Sequence, residues 1–175
     1  MLLGISGSLR KEATNRKLIR EAARIYGGPY TEADLRLPLY DGDLEDAEGI
    51  PASVQTLADQ ITAAEAVVIS TPEYNQLIAG VLKNALDWVS RVPGRPWRDK
   101  PLAVVSAADG RAGGARANSS LRLAMVPFRP RLLIGPDVMV ADSSNAFDAN
   151  GRLTGERYIA QLTELMDLLK AEARR

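Results

Sequence analysis

Near the start of the chain, Ser8, Arg10, Thr14 and Asn15 stand in the stretch GISGSLRKEATNRKL, between a short apolar run and an amphipathic pattern. These residue types suit an anion. Arg10 carries a permanent charge and five donors. Ser8 and Thr14 offer hydroxyls, and Gly7 permits a tight turn. A helix starting at Thr14–Asn15 would point its unpaired N–H groups back into the loop. A phosphate dianion would gain about 0.3–2 kcal/mol from the helix dipole and about 1.5–3 kcal/mol from each charge-assisted hydrogen bond. The spacing is neither a Walker A loop nor the dinucleotide fingerprint G-x-G-x-x-G. The same residues also make an ordinary βα turn with a Thr or Asn cap. The arginine between serine and helix favours the anion.

A second polar cluster, Pro72, Glu73, Tyr74 and Asn75, follows the apolar run AVVIS in STPEYNQLIAGVLKNALDW. Pro72 holds Thr71 extended and removes one N–H. Asn75 both donates and accepts, which suits the edge of a heterocycle bearing carbonyl and N–H groups. A proline-initiated loop with a surface tyrosine explains the stretch equally well. A third stretch, SAADGRAGGARAN, begins at Ser106 and contains Gly110, Gly113 and Gly114. Its glycines can expose backbone amides or admit a flat ligand, although on its own it reads more simply as a glycine-rich loop.

The rest of the composition narrows the chemistry. The 175 residues contain no cysteine and no histidine, which removes disulfides, thiolate nucleophiles, iron–sulfur clusters and histidine as base or metal ligand. No metal site is expected. Chemistry must come from carboxylates, hydroxyls, amines or a bound cofactor. The formal net charge is zero, so no general attraction to nucleic acid or anionic membrane is expected, which leaves room for a local basic patch. The N-terminal MLLGI is too short for a signal-peptide core. No segment approaches the roughly 20 apolar residues of a membrane span. A cytoplasmic protein is expected. The acidic run DGDLEDAE (41–48) reads as a solvated loop, and DANG (148–151) as a turn.

Strands are expected at 2–6, 30–36, 66–70, 101–107 and 131–140, the second polar enough for a sheet edge. Helices are expected at 15–26, 51–64, 79–91, 115–126 and 155–172. Five strands alternating with five helices, without repeat or composition break, predict one doubly wound α/β domain over 1–175. In the flavodoxin-like order 2-1-3-4-5, the first, third and fourth strands are neighbours. Their carboxyl ends carry the three loops above, where open α/β sheets bind ligands.

Taken together, these segments resemble a known family. GISGSLRKEATNRKL is similar to the phosphate loop of the NADPH-dependent FMN reductases, and TPEYNQLIAGVLKNALDW to their second signature. LPLYDGDLE and AFDANGRLTGE resemble intervening segments, so the likeness covers essentially the whole chain. It implies a flavodoxin-like fold with FMN as cofactor and NADPH or NADH as donor. The implied acceptors are quinones, azo compounds, free flavins, chromate or ferric complexes. By the same resemblance, Ser8, Arg10 and Asn15 would hold the FMN phosphate. Pro72, Glu73, Tyr74 and Asn75 would border the isoalloxazine ring, and Ser106 with its loop would close the other side. The chain departs from the family pattern at Ala13, where serine is common, at Gln76, Leu77 and Ala79, and in the charges of Asp109 and Arg111.

Hydride chemistry belongs to the flavin, which explains how such a chain manages without histidine or cysteine. The resemblance implies a ping-pong exchange of two electrons with no essential acid or base. It also implies a homodimer or homotetramer, with the helix at 79–91 and Trp88 as the candidate contact. Arg91, Arg111 and Arg116 are the cations available to a nicotinamide 2′-phosphate. The competing reading is a flavodoxin-type electron carrier that does not itself oxidise NAD(P)H. Such carriers tend to be acidic and to cover the flavin with aromatics. Here the charge is balanced, and of nine aromatics only Tyr74 lies in a candidate flavin loop.

Overall fold

The computed structural model describes all 175 residues. Its strands are β1 (Leu2–Ser6), β2 (Tyr30–Glu32), β3 (Ala66–Thr71), β4 (Pro101–Ala107), β5 (Arg131–Leu132) and β6 (Met139–Val140). The helices are α1 (Thr14–Tyr26), α2 (Gly42–Glu48), α3 (Ala52–Ala63), α4 (Gly80–Arg91), α5 (Ala115–Met125) and α6 (Glu156–Ala173). The strands form one parallel sheet in the order β2-β1-β3-β4-β5, with β6 also paired to β4. This is the flavodoxin-like arrangement expected.

The alternation of strand side chains explains the layering. Leu3, Ile5, Val67, Ile69, Leu102 and Val104 face a core closed by α3, α4 and α5, through residues such as Ile61, Leu86 and Leu121. Leu2, Ala66, Val68, Ala103 and Val105 face a second core closed by α1 and α6, through Leu18, Ile19, Leu162 and Met166. Every residue of β1, β3 and β4 is buried. Each fully buried Leu or Ile contributes about 1.5–3 kcal/mol relative to exposure, so the three strands that carry the functional loops are also the most strongly held.

Three expectations are corrected. The segment 131–140 is not one strand. Its ends pair with the two ends of β4, while Pro136 has no N–H for a ladder, and the chain rejoins through Ser106 N–H to the Val138 carbonyl at 3.0 Å. The acidic run at 41–48 is a helix, α2. The Asp41 side chain caps it by accepting from Asp43 N–H at 3.0 Å, and acids in its first turn favour the dipole. The polar second strand ends at Glu32; Ala33 N–H still donates to the Gly4 carbonyl at 2.9 Å, and the chain then leaves the sheet and runs past α4.

Trp88 is not an outward-facing contact residue. It is fully buried with Val54, Ala58 and Val92. Its Nε1–H donates to the Pro38 carbonyl at 2.8 Å, and its ring meets Tyr40 edge-on at 4.9 Å between centroids. The tryptophan pins the long segment after β2 onto α4.

Candidate functional site

The exits of β1, β3 and β4 lie side by side, and three loops leave them. The first is held against the second at Gly7, whose N–H donates to the Ser70 carbonyl at 2.8 Å. A Cβ there would lie 3.0 Å from Pro72 Cδ, so any larger residue would press against the second loop. The loop then turns on serines: Ser6 Oγ accepts from Ser8 N–H at 3.3 Å, and Ser8 Oγ accepts from Arg10 N–H at 3.4 Å.

The loop ends at Ala13, the N-cap of α1, which has no side-chain oxygen to offer the helix. The amides of Thr14 and Asn15 therefore find no acceptor in the fold, and the positive end of a thirteen-residue helix stands open. The guanidinium of Arg10, on the rim of the same space, makes neither an ion pair nor a hydrogen bond.

Asn15 behaves differently from a ligand-facing residue. Its side chain is buried and fully used: Nδ2 donates to the Ala107 carbonyl at 2.9 Å, while Oδ1 accepts from Ser70 Oγ at 2.7 Å and Ala107 N–H at 3.1 Å. The amide side chain ties the three exits together, and only the backbone N–H of Asn15 remains for an anion.

The second loop brings Pro72, Glu73 and Tyr74 to the opposite side. Glu73 Oε2 accepts from Arg116 N–H at 3.0 Å and Ala117 N–H at 3.2 Å, capping α5 where Gly114 at the N-cap supplies no side chain. Tyr74 and Leu77 exchange backbone hydrogen bonds at 3.1 Å around a two-residue turn. Asn75 and Gln76 at its tip have φ of 50° and 67°, the positive values that such tight turns require. Asn75 therefore does not line the cavity. The turn instead lifts Tyr74 and Leu77 into solvent, 51% and 59% exposed.

The third loop closes the far side with Ala107, Ala108, Asp109 and Gly110. Ser106 is buried and turned away, its Oγ donating to the Gly113 carbonyl at 2.7 Å. It shapes the loop from behind. Asp109 accepts from Ser144 Oγ at 2.7 Å, Ser144 N–H at 2.8 Å and Ser143 Oγ at 3.0 Å. These bonds, led by the Ser144 hydroxyl and helped by the charge of Arg10, hold its carboxyl below the usual carboxylate range. Thr14 Oγ1 donates to Ser143 Oγ at 3.2 Å, so the wall continues back to the first loop.

The cleft between the three loops measures about 350 Å³. Of the residues expected to bind a cofactor, Ser8, Arg10, Thr14, Asn15, Pro72, Glu73 and Tyr74 line it, whereas Asn75 and Ser106 do not. Ser143 was not anticipated, because nothing in ADSSNAF signals that the chain after β6 returns to the site. Beside the cavity, Gly7, Ser8, Arg10, Tyr74, Ala79 and Gly80 border an open shelf of about 240 Å³. Arg91 lies elsewhere, at the far end of α4, paired with Glu45 at 2.9 Å. Nowhere do three His, Cys, Asp or Glu side chains come together as a metal cage. No helix is long and apolar enough to cross a membrane.

One end of the cavity thus offers orphan amides, hydroxyls and a free guanidinium, and the other offers peptide planes, a proline and a tyrosine. Those features fit a phosphate and a flat ring, respectively. Comparison with known proteins agrees. The sequence profile of the NADPH-dependent FMN reductases matches residues 1–145. The chain is 41% identical to the NAD(P)H-dependent FMN reductase of Pseudomonas aeruginosa, over 99% of this chain and 95% of that protein. It is 39% identical to the quinone reductase of Escherichia coli K12, over 86% of this chain and 80% of that protein. Its fold matches the flavoenzyme NAD(P)H:(acceptor) oxidoreductase FerB of Paracoccus denitrificans with a TM-score of 0.88 and 30% identity, covering 99% and 96% of the two chains. The chain therefore belongs to the NADPH-dependent FMN reductase family and is an FMN-dependent, NAD(P)H-using reductase with a flavodoxin-like fold.

Proposed function

We propose that the cavity holds FMN with its phosphate at the N-terminus of α1 and its ring between the Pro72–Tyr74 and Ala107–Gly110 loops. The observation that carries this reading is the uncapped start of α1 beside an unpaired Arg10. Two free amides, a helix dipole and a permanent charge converge there, with the Ser8 and Thr14 hydroxyls at hand. When bound, FMN supplies two-electron transfer between a reduced nicotinamide and an acceptor.

The chain's own part is to bind, orient and admit. The Ser70–Asn15–Ala107 bonds fix the spacing of the exits, and the Glu73 cap fixes the second loop against α5. The shelf beside Tyr74 is open to solvent and has space for one flat molecule. Donor and acceptor would therefore use it in turn, a ping-pong cycle. The shelf is bordered by no carboxylate, histidine, cysteine or lysine, so in this reading protons come from water and no side chain serves as an essential acid or base. An open, weakly polar shelf favours planar acceptors, quinones first, with azo compounds and free flavins as further candidates. Chromate, a tetrahedral anion, would enter by its small size rather than its shape. The whole chain would act as a single domain, in the cytoplasm, as a homodimer or homotetramer.

The test is a visible absorption spectrum of purified protein after FMN addition and desalting, followed by anaerobic NADPH and, separately, NADH. Retained flavin that bleaches with a nicotinamide, and recovers its colour on addition of a quinone, is the expected result. Loss of all flavin on desalting would overturn the assignment of the cavity. Bleaching by dithionite alone would overturn the use of the shelf by a nicotinamide.

A further inference from the structure

A second cavity, of about 380 Å³, opens at the amino ends of the strands, opposite the flavin cavity, where α4 ends and β4 and β5 begin. It shares no residue with the flavin cavity. Its wall is apolar and partly aromatic, with Trp97 and Phe128 edge-on at 6.4 Å and Val89 beside them. Its rim carries Arg95, Arg98 and Arg129, and no acidic residue lines it.

Three features set this cavity apart from an ordinary surface groove. First, the arginines are largely unengaged. The guanidiniums of Arg95 and Arg129 make no ion pair or hydrogen bond, and Arg98 has only Asp99 at 3.7 Å. The protein as a whole is neutral, so this concentration of charge is local. Second, Arg95 and Arg129 sit at φ of 53° and 55°, a left-handed conformation that non-glycine residues adopt at a cost. The two turns that present them are both held in it. Third, Trp97 is 3% exposed, yet its Nε1–H is buried without any acceptor. Buried indole N–H groups ordinarily find a partner, as that of Trp88 does. Trp97 gives its ring to the cavity wall, and its Nε1–H lies behind that wall as a donor that the fold leaves unanswered.

We propose that this cavity is a binding site for a small aromatic carboxylate. A flat ring of one or two cycles matches the volume, which is near the lower end for small-molecule pockets, and packs on Trp97 and Phe128. The carboxylate meets the guanidiniums, whose planar forks pair with it. A bare inorganic anion would leave the apolar wall uncovered. A neutral aromatic would leave the cations without a partner. The site stands apart from the flavin cavity and does not depend on how that cavity is used.

The test is titration of the FMN-saturated, ¹⁵N-labelled chain with naphthalene-2-carboxylate, following the two tryptophan indole N–H signals and assigning them with Trp97→Phe. A saturable shift of the Trp97 signal, much larger than that of Trp88, is expected. The double variant Arg95→Ala/Arg129→Ala should bind about tenfold to a hundredfold more weakly while retaining FMN absorbance. Naphthalene-2-methanol, the neutral counterpart, should bind at least about tenfold more weakly than the carboxylate. Equal affinity for the two probes would reduce the site to a greasy groove and overturn the proposal. A Trp97 signal that stays still, whether because the cavity is closed or because a second copy of the chain covers it, would overturn it too.

Discussion

The Ser70 hydroxyl donates to Asn15 Oδ1 at 2.7 Å, joining the exit of β3 to the start of α1 in the interior of the molecule. The same side chain also satisfies both the N–H and the carbonyl of Ala107 at the exit of β4. Removing it leaves three buried polar groups without partners, each costing about 1–3 kcal/mol if nothing replaces the bond. With partial relaxation and water entry, Asn15→Leu is expected to destabilise the chain by about 2–4 kcal/mol. Urea denaturation measures this. A loss below about 1 kcal/mol would mean that the three exits are held by their packing alone.

Glu73 belongs to the cavity wall, yet its oxygen serves the N-terminus of α5. Glu73→Ala should cost about 0.5–2 kcal/mol, the usual range for a lost cap and its dipole interaction. Glu73→Gln keeps an acceptor oxygen and should lose less than half as much. Thermal melts of the two variants check the ordering. Equal losses would assign the effect to charge rather than to capping.

The pattern of strands and helices was legible because β1, β3 and β4 are buried on both faces and read as unbroken apolar runs. The placement of Ser8, Arg10 and Thr14 was legible for a similar reason: they lie in one short loop whose position follows from the strand before it. Asn15 shows the limit of such reading. A buried amide and a ligand-facing amide are the same letter, and only the positions of Ser70 and Ala107 decide between them. Asn75 was hidden for a different reason. The sequence offers Asn-Gln at a turn tip with no glycine to announce positive φ, and the hydrogen bonds between Tyr74 and Leu77 close a turn whose tip is not among the residues lining the cavity. Ser143 is 128 residues beyond Asn15 in number (143 − 15) and reaches the site only because the chain re-pairs with β4 after Pro136. Periodicity carries no trace of that return.

Asp109 links acidity to stability. Its folded carboxyl titrates below the unfolded value of about 3.9 because the Ser144 and Ser143 bonds favour the charged form. A depressed value means that the unfolded chain binds more protons in this range, so the contribution is complete above the unfolded value and is lost as pH falls through the folded one. Asp109→Asn should therefore be less stable than the parent at pH 7, with the gap narrowing below about pH 4. Urea midpoints at pH 7 and pH 3 measure the two gaps. A gap independent of pH would show that the hydrogen bonds to Asp109 do not depend on its charge.

Arg10 separates the phosphate from the rest of the cofactor. Its guanidinium has no partner within the protein, so its substitution disturbs no existing ion pair, and a change in affinity reports the ligand contact. Arg10→Ala should weaken FMN binding by about 1.5–3 kcal/mol, a factor of about ten to somewhat over a hundred. Riboflavin, which has the same ring without the phosphate, should bind wild type and variant alike. Arg10→Lys should recover part of the loss, since a point charge remains while the paired fork does not. Because Arg10 is exposed, added salt should shrink the difference between wild type and Arg10→Ala. Fluorescence titration with both flavins, at low and high salt, decides the matter. If Arg10→Ala weakened riboflavin as much as FMN, the residue would act on the ring or on the loop, and the anion at the start of α1 would have to be held by the Thr14 and Asn15 amides without it.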